Sequence, residues 1–249
     1  DAISVNSTDG TCTAKITNRS NRNLVINGSA NIDQRNAGNA VTCTSSGVIG
    51  PDRFKGIEDT DGALTIKRES ITDLAGFTRC ARVTVTTADA SLASSQHYGI
   101  FYAIEGHDAT QLMWGASSAK AATLSFWARS SVAGDHSVSF RSYNGALSYQ
   151  FQYTLAANTW TKVTKTIAGP TSGTFNPDSN LRGFDIIWGM AGSGLASSSS
   201  DSWGNSPTWA IARAGSVNLM ATNGATFDLT GLQLEVGDVA TDFEHRSYG

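Results

Sequence analysis

The sequence predicts an all-β protein, an antiparallel β-sandwich, on three observations. Many short segments alternate apolar and polar residues with a period of two, and no regular helices separate them. The turns between them are rich in Gly, Asn and Ser, with only four prolines. Charged residues make up only 16% of the 249 while hydrophobic ones make up 40%, which suits a weakly charged polar surface around a real core.

Taken in order, residues 1–23 differ from the rest. One short strand-like run, "CTAKIT", sits among Asn, Ser, Thr and Asp, too little to bury a core. They read as an extended segment or linker ending a preceding module, with the sandwich over 24–249. From Leu24 the strand signals recur: "NLVINGSANIDQR", a strand entering a turn, then "GALTIKRE", "FTRCARVTVTT" and "HYGIFYAIEG". "ATLSFWARS", "HSVSFRSY", "LSYQFQYTL", "WTKVTKTIAG", "LRGFDIIWGM" and "SVNLMATNG" follow. Only "HDATQLMWGASSAKA" hints at a helical turn, and no internal repeat is visible.

The last segment, "FDLTGLQLEVGDVATDFEHRSYG", changes phase. Phe227 and Leu229 lie on one parity, and Leu232, Leu234 and Val236 lie on the other. An extra residue in the ladder reconciles them, and Gly231 at the phase change marks a β-bulge. Two short strands with a bend are the alternative.

One strand pair can be registered. Asn144-Gly145 is a strong hairpin signal, predicting a type I′ turn with positive φ at both residues and Tyr143 opposite Ala146. Closing the chain there sets Arg141 opposite Ser148, Ser139 opposite Gln150, and Ser137 opposite Gln152. Val138, Phe140, Tyr149, Phe151 and Tyr153 then share the core face. "TLSFWARS" splits the same way, with Leu124, Phe126 and Ala128 inside. If it joins the same sheet, one surface carries Trp127, Arg129, Arg141, Tyr143, Gln150 and Gln152. Flat rings cover the apolar face of a sugar while amide and guanidinium groups take its hydroxyls, so these are the candidate carbohydrate-binding residues. The alternative is a loop over Trp127 and an ordinary solvated sheet. In the long Gly/Ser loop "GSGLASSSSDSWGNSPTWA", Trp209 is expected to pack back and Trp203 to be the exposed contact.

Several functions are disfavoured. A net charge of -3 gives no electrostatic case for nucleic acid. No apolar run reaches the roughly 18 residues a membrane span needs. Cys12, Cys43 and Cys80 lack metal spacing and are expected to be mostly free, partly buried thiols. His97, His107, His136 and His245 lack it too. No nucleophile elbow, zinc-protease, phosphate-loop or dinucleotide motif is present, so no catalytic residue, metal or cofactor is assigned. "EDTDG", Glu58 to Gly62, is a fragment of a calcium loop better explained as a solvated turn. Asp185 faces away from its apolar neighbours, as an edge or surface residue would. The start at Asp1 fits a processed product or a piece of something longer.

"NLVINGSANIDQR", "GPDRFKG", "AIEG", "AATLSFWARSS", "NTWTKVTKTIAG" and above all "LTGLQLEVGDVATDFEHRSYG" together resemble bacteriophage tail-fibre and virion structural proteins of the marine type. The resemblance covers Asn23 to Gly249 and implies a carbohydrate-binding-module-like jelly roll in a virion, commonly a homotrimer beside other virion subunits. Its implied partner is host surface polysaccharide. In such jelly rolls a structural calcium uses last-strand aspartates. Thr230 and Gly231 stand there and supply no carboxylate, with Asp33 and Asp228 nearby. The terminal strand is expected to close the sandwich beside "NLVING", with Glu244, His245 and Arg246 placed to meet a neighbouring subunit. A purely structural virion protein and, less favoured, a polysaccharide-degrading enzyme are the other readings.

Overall fold

A computed structural model describes residues 3–5, 8, 12–14, 22–44, 47–175, 180–192, 196–197, 201–205, 207 and 209–245. Ten strands of six residues or more build the body among these. They are β1 (Phe54–Asp59), β2 (Ala63–Ser70), β3 (Arg79–Thr87), β4 (His97–Glu105) and β5 (Ala122–Ser130), followed by β6 (Gly134–Ser142), β7 (Ser148–Leu155), β8 (Thr161–Ile167), β9 (Arg182–Gly192) and β10 (Thr226–Val236). One sheet runs Trp203–Gly204, β7, β6, β9, β4, β1, Val48–Ile49, and the other runs β8, β5, β10, β3, β2, Val41–Thr42. Pairing within both is antiparallel, so the predicted sandwich is the observed fold.

The core lies between the two sheets because each strand turns one parity inward. Val138, Phe140, Phe184, Ile186, Trp188 and Ile100 meet Leu124, Phe126, Val83, Leu64, Phe227 and Leu234, all fully buried. Each such side chain contributes about 1.5–3 kcal/mol of burial. The hairpin register is as predicted, Arg141 to Ser148 and Ser139 to Gln150. Its turn differs. Only Gly145 has positive φ (67°), and Ser142 pairs with Leu147 around the four-residue loop Tyr143–Ala146. The Asn144 carboxamide oxygen accepts the Ala146 N–H and the Ser142 hydroxyl instead of occupying the left-handed region.

Three segments depart from expectation. "NLVING" lies beside β10 but is not a strand. Only Leu24 N–H to Leu234 O and Leu232 N–H to Gly28 O join the two backbones, and the Asn23 side chain fills the gap between them. Positive φ at Asn27 and Ala30 then bends the chain away. "SVNLMATNG" carries a 3-10 turn, Leu219–Ala221, that plugs the sandwich end with Leu219 and Met220, held by the Tyr98 hydroxyl. β1 was invisible in the sequence because its inward residues are Phe54, Gly56 and Glu58, without apolar alternation. "HDATQ" does form the expected helical turn. In the N-terminal segment Ile3–Val5 pairs with Cys12–Ala14. Cys43 and Cys80 are free and buried, and burial pushes the Cys43 thiol up to about 12. The side chain of Cys12 lies outside the described residues. Among those residues no helix is long and apolar enough to cross a membrane.

β10 holds the predicted bulge, its pairing with β5 slipping between Thr230 and Gln233. Gly231 sits there at φ +61°, and a Cβ would stand 2.8 Å from the Phe77 ring. Gly231→Ala is expected to cost about 1–3 kcal/mol from left-handed backbone and crowding. Urea denaturation checks it, and an unchanged midpoint contradicts it.

Candidate functional site

The outer face of the seven-stranded sheet is built in cross-strand rows. Register places Ala103, Asp185, Arg141 and Ser148 side by side, and Lys55, Phe101, Ile187, Ser139 and Gln150 in the next row. From strand parity alone this face is expected to be open and polar. It is half covered. The segment from Trp209 to Arg213 lies over β6 and β9, where Ala210 O accepts from the Ser139 hydroxyl at 2.9 Å and the Ser137 hydroxyl accepts the Arg213 N–H at 3.1 Å. Ile211 packs on Phe101 and Ile187. Gln150 is buried and donates to the Ser139 hydroxyl, and half-buried Gln152 bonds Ala214 O and Ser216. The hydroxyl and amide groups read as ligand contacts therefore hold a loop.

Arg141 is buried as well, and Asp185, expected at an edge, is fully buried in a central strand. Asp185 Oδ2 accepts from Arg141 Nη2 at 3.0 Å and Nε at 3.2 Å, with Arg182 Nη1 at 3.4 Å. Its Oδ1 is buried without a hydrogen-bond partner. Loss of solvent outweighs the pull of both arginines and raises the carboxyl to about 6, and the same burial lowers the Arg141 guanidinium. Trp209 stacks on Arg141 at 4.7 Å and remains 41% exposed.

The uncovered half, over β4 and β1, is a cleft of about 520 Å³ lined by Lys55, Ile57, Phe101, Tyr143, Leu181 and Arg182 among others. Tyr143 is 38% exposed on its rim, 5.5 Å from the Arg182 guanidinium, which also donates to the Tyr143 carbonyl. Of the residues singled out from sequence, Tyr143 lines this cleft and Arg141 borders it from below Trp209. Lys55, Phe101 and Arg182 were missed. The available signal was Phe101, an aromatic on the outward parity of a strand whose Ile100 and Tyr102 already face the core.

Trp127 and Arg129 belong to the other sheet, so they cannot share a surface with Arg141 and Tyr143. Trp127 is half-buried in a satellite cluster with Phe77 and Phe243, which is the loop-covered alternative. Arg129 stacks on Trp160 at 4.5 Å and bonds Asp228, while Arg82 grips the same carboxylate at 2.6 and 2.8 Å from the opposite strand. Asp228 thus ties β10 to both neighbours. Asp33 accepts backbone N–H groups of Asn36 and Gly38 within its own loop. Trp203, expected to be exposed, packs on Trp114 and Tyr149 and donates to Ala168 O, so the two loop tryptophans exchange their expected roles. Glu244 accepts the Asn23 N–H and His245 packs on Phe77 and Phe243, while Arg246 lies outside the described residues. Among the described residues no group of three or more His, Cys, Asp or Glu is placed to hold a metal ion.

No protein-family model and no curated protein matches the sequence. Among solved structures, the chain is similar to the enzymatically active domain of tailspike protein 4 from bacteriophage CBA120, at 12% identity and TM-score 0.44 over 86% of this chain. It spans 21% of that protein's length. It is also similar to a candidate sugar-binding protein from Bacteroides thetaiotaomicron, at 14% identity and TM-score 0.44, covering 86% of this chain and 99% of that one. A third is the family 11 carbohydrate-binding module from Clostridium thermocellum in complex with a mixed-linked tetrasaccharide, at 11% identity and TM-score 0.38, covering 80% and 96%.

The raised Asp185 carboxyl gives a signed pH dependence. Its folded value lies above its unfolded one, so its contribution is full below about 3.8 and is lost as pH rises through about 6. The stability advantage of the wild type over Asp185→Asn is expected to shrink by about 3 kcal/mol across that window. Urea unfolding at both ends measures it, and a constant difference contradicts it.

Proposed function

We propose that this chain is a non-catalytic module of a bacteriophage fibre or receptor-binding virion protein that contacts host cell-surface glycan. The supporting observation is the cleft itself. It offers an exposed Tyr143 ring for the apolar side of a sugar, with Arg182 beside it and Trp209 next to the buried Arg141. Tyr143 sits in the tight hairpin loop, where its N–H donates to Thr174 O and its carbonyl accepts from Arg182, so little further ordering is needed on binding. The segments that resemble marine-type phage fibre proteins support the virion setting, in which residues 24–249 form the module and 1–23 the end of a preceding one. A homotrimer among other virion subunits fits that setting.

Whole-cell or glycan-array binding tests the reading. Tyr143→Ala is expected to weaken binding about tenfold, the effect of losing one ring stack. Trp127→Phe, on the opposite sheet, is expected to leave it unchanged. The reverse pattern, or no binding by the wild type, overturns the assignment. Light scattering on the same preparation is expected to give a trimer, and a monomer at micromolar concentration removes that part.

A further inference from the structure

The charge inside the cleft is unlike that of the chain. The whole molecule carries a net charge of -3, yet among the described residues the lining supplies Lys55 and Arg182 and no carboxylate. Three cations converge on one ring. Lys55 Nζ and the Arg182 guanidinium each stand 5.9 Å from the centre of Phe101, and the Arg141 guanidinium stands 5.7 Å from it. The acidic groups nearby are already engaged. Asp185 lies fully buried beneath Arg141 and Arg182, and Glu105 bonds Arg53 at 2.5 Å. Among the described residues, with the Arg53–Glu105 pair neutral, one carboxylate then faces three cations around Phe101.

We infer that the cleft selects an anionic sugar, one bearing a carboxylate or sulfate ester, by seating the acidic group between Lys55 and Arg182 above Phe101 while Tyr143 covers the ring. This rests on the glycan-binding reading and names the class of its ligand. The Arg182 guanidinium is held in place by Asp185 and Tyr143 O, so its charge stands at the cleft wall without reorganisation, and charge-assisted hydrogen bonds, which the Lys55 ammonium can also donate, are the stronger kind. Phe101 and Arg141 beneath are buried, while Lys55 and Arg182 are half-exposed, so their attraction for an anion is partly screened by salt.

Affinity electrophoresis of the full chain decides the matter with two matched pairs, polygalacturonate against its carboxyl-reduced form and dextran sulfate against dextran. The wild type is expected to bind at least one acidic polymer about tenfold more tightly than its neutral counterpart, and to lose most of that binding as salt is raised. Lys55→Glu and Arg182→Gln are expected to abolish the preference. Lys162→Glu, the same charge change on the opposite sheet, is expected to leave it intact. Circular dichroism and melting temperature confirm that each variant is folded. The two acidic arms distinguish carboxylate from sulfate. Equal binding to charged and neutral polymers, or loss with Lys162→Glu as much as with Lys55→Glu, overturns the inference. If a neutral polymer binds and Tyr143→Ala removes that binding, the glycan reading survives without it. No binding to any polymer sinks both.

Discussion

The carboxylate of Asp185, fully buried in a central strand, is the constraint on which the outer face of the larger sheet depends. It fixes Arg141 on one neighbouring strand and Arg182 three residues away on its own. Arg141 in turn supplies the flat surface on which Trp209 lies, and that contact anchors the loop that covers half the sheet. Removing one partner of a buried ion pair typically costs about 3–5 kcal/mol because a charge is left uncompensated. Here it would also loosen the Arg141 platform under Trp209, while Ala210, Ile211 and Arg213 keep their own contacts with the sheet. Stability and the proposed binding geometry therefore share one interaction.

The two outer faces solve the same problem differently. On the smaller sheet, Asp228 is gripped from both sides by Arg82 and Arg129, and the loops carrying Phe77 and Phe243 close over Trp127. That face keeps a smaller cleft, about 280 Å³, between Trp127, Lys162 and Phe243. On the larger sheet the covering segment stops short of β4 and β1, and the aromatic ring of Phe101 and the cations around it remain at the floor of a cleft. The two clefts differ in size and in charge: the one beside Phe101 is about 520 Å³ and carries Lys55 and Arg182, the one beside Trp127 about 280 Å³ with Asp242 opposite Lys162.

Much of the scaffold was legible in the sequence because strand parity is a strong local signal. The hairpin register and the Gly231 bulge both followed from where apolar residues fell, and burial leaves little choice of phase. The site was not legible in the same way. Whether Arg141 and Gln150 face water or a loop is decided by Trp209 and Ala210, some sixty residues away in sequence, and no local pattern encodes that contact. Trp127 and Arg129 would share a surface with Arg141 only if β5 joined the sheet of β6, but the chain crosses to the other sheet between β5 and β6, which leaves no trace in periodicity. β1 was missed since Gly56 and Glu58 occupy its inward positions, and with it went Lys55, one of the cations of the cleft.

The central claim is that ligand recognition belongs to the half-open face beside Phe101. Titration of isotope-labelled protein with trigalacturonic acid, followed by amide chemical shifts, tests this most directly. The account predicts that shifts cluster at Lys55, Phe101, Tyr143 and Arg182 and leave Lys162 and Trp127 in place. Shifts centred on Trp127 and Phe243 instead would contradict it.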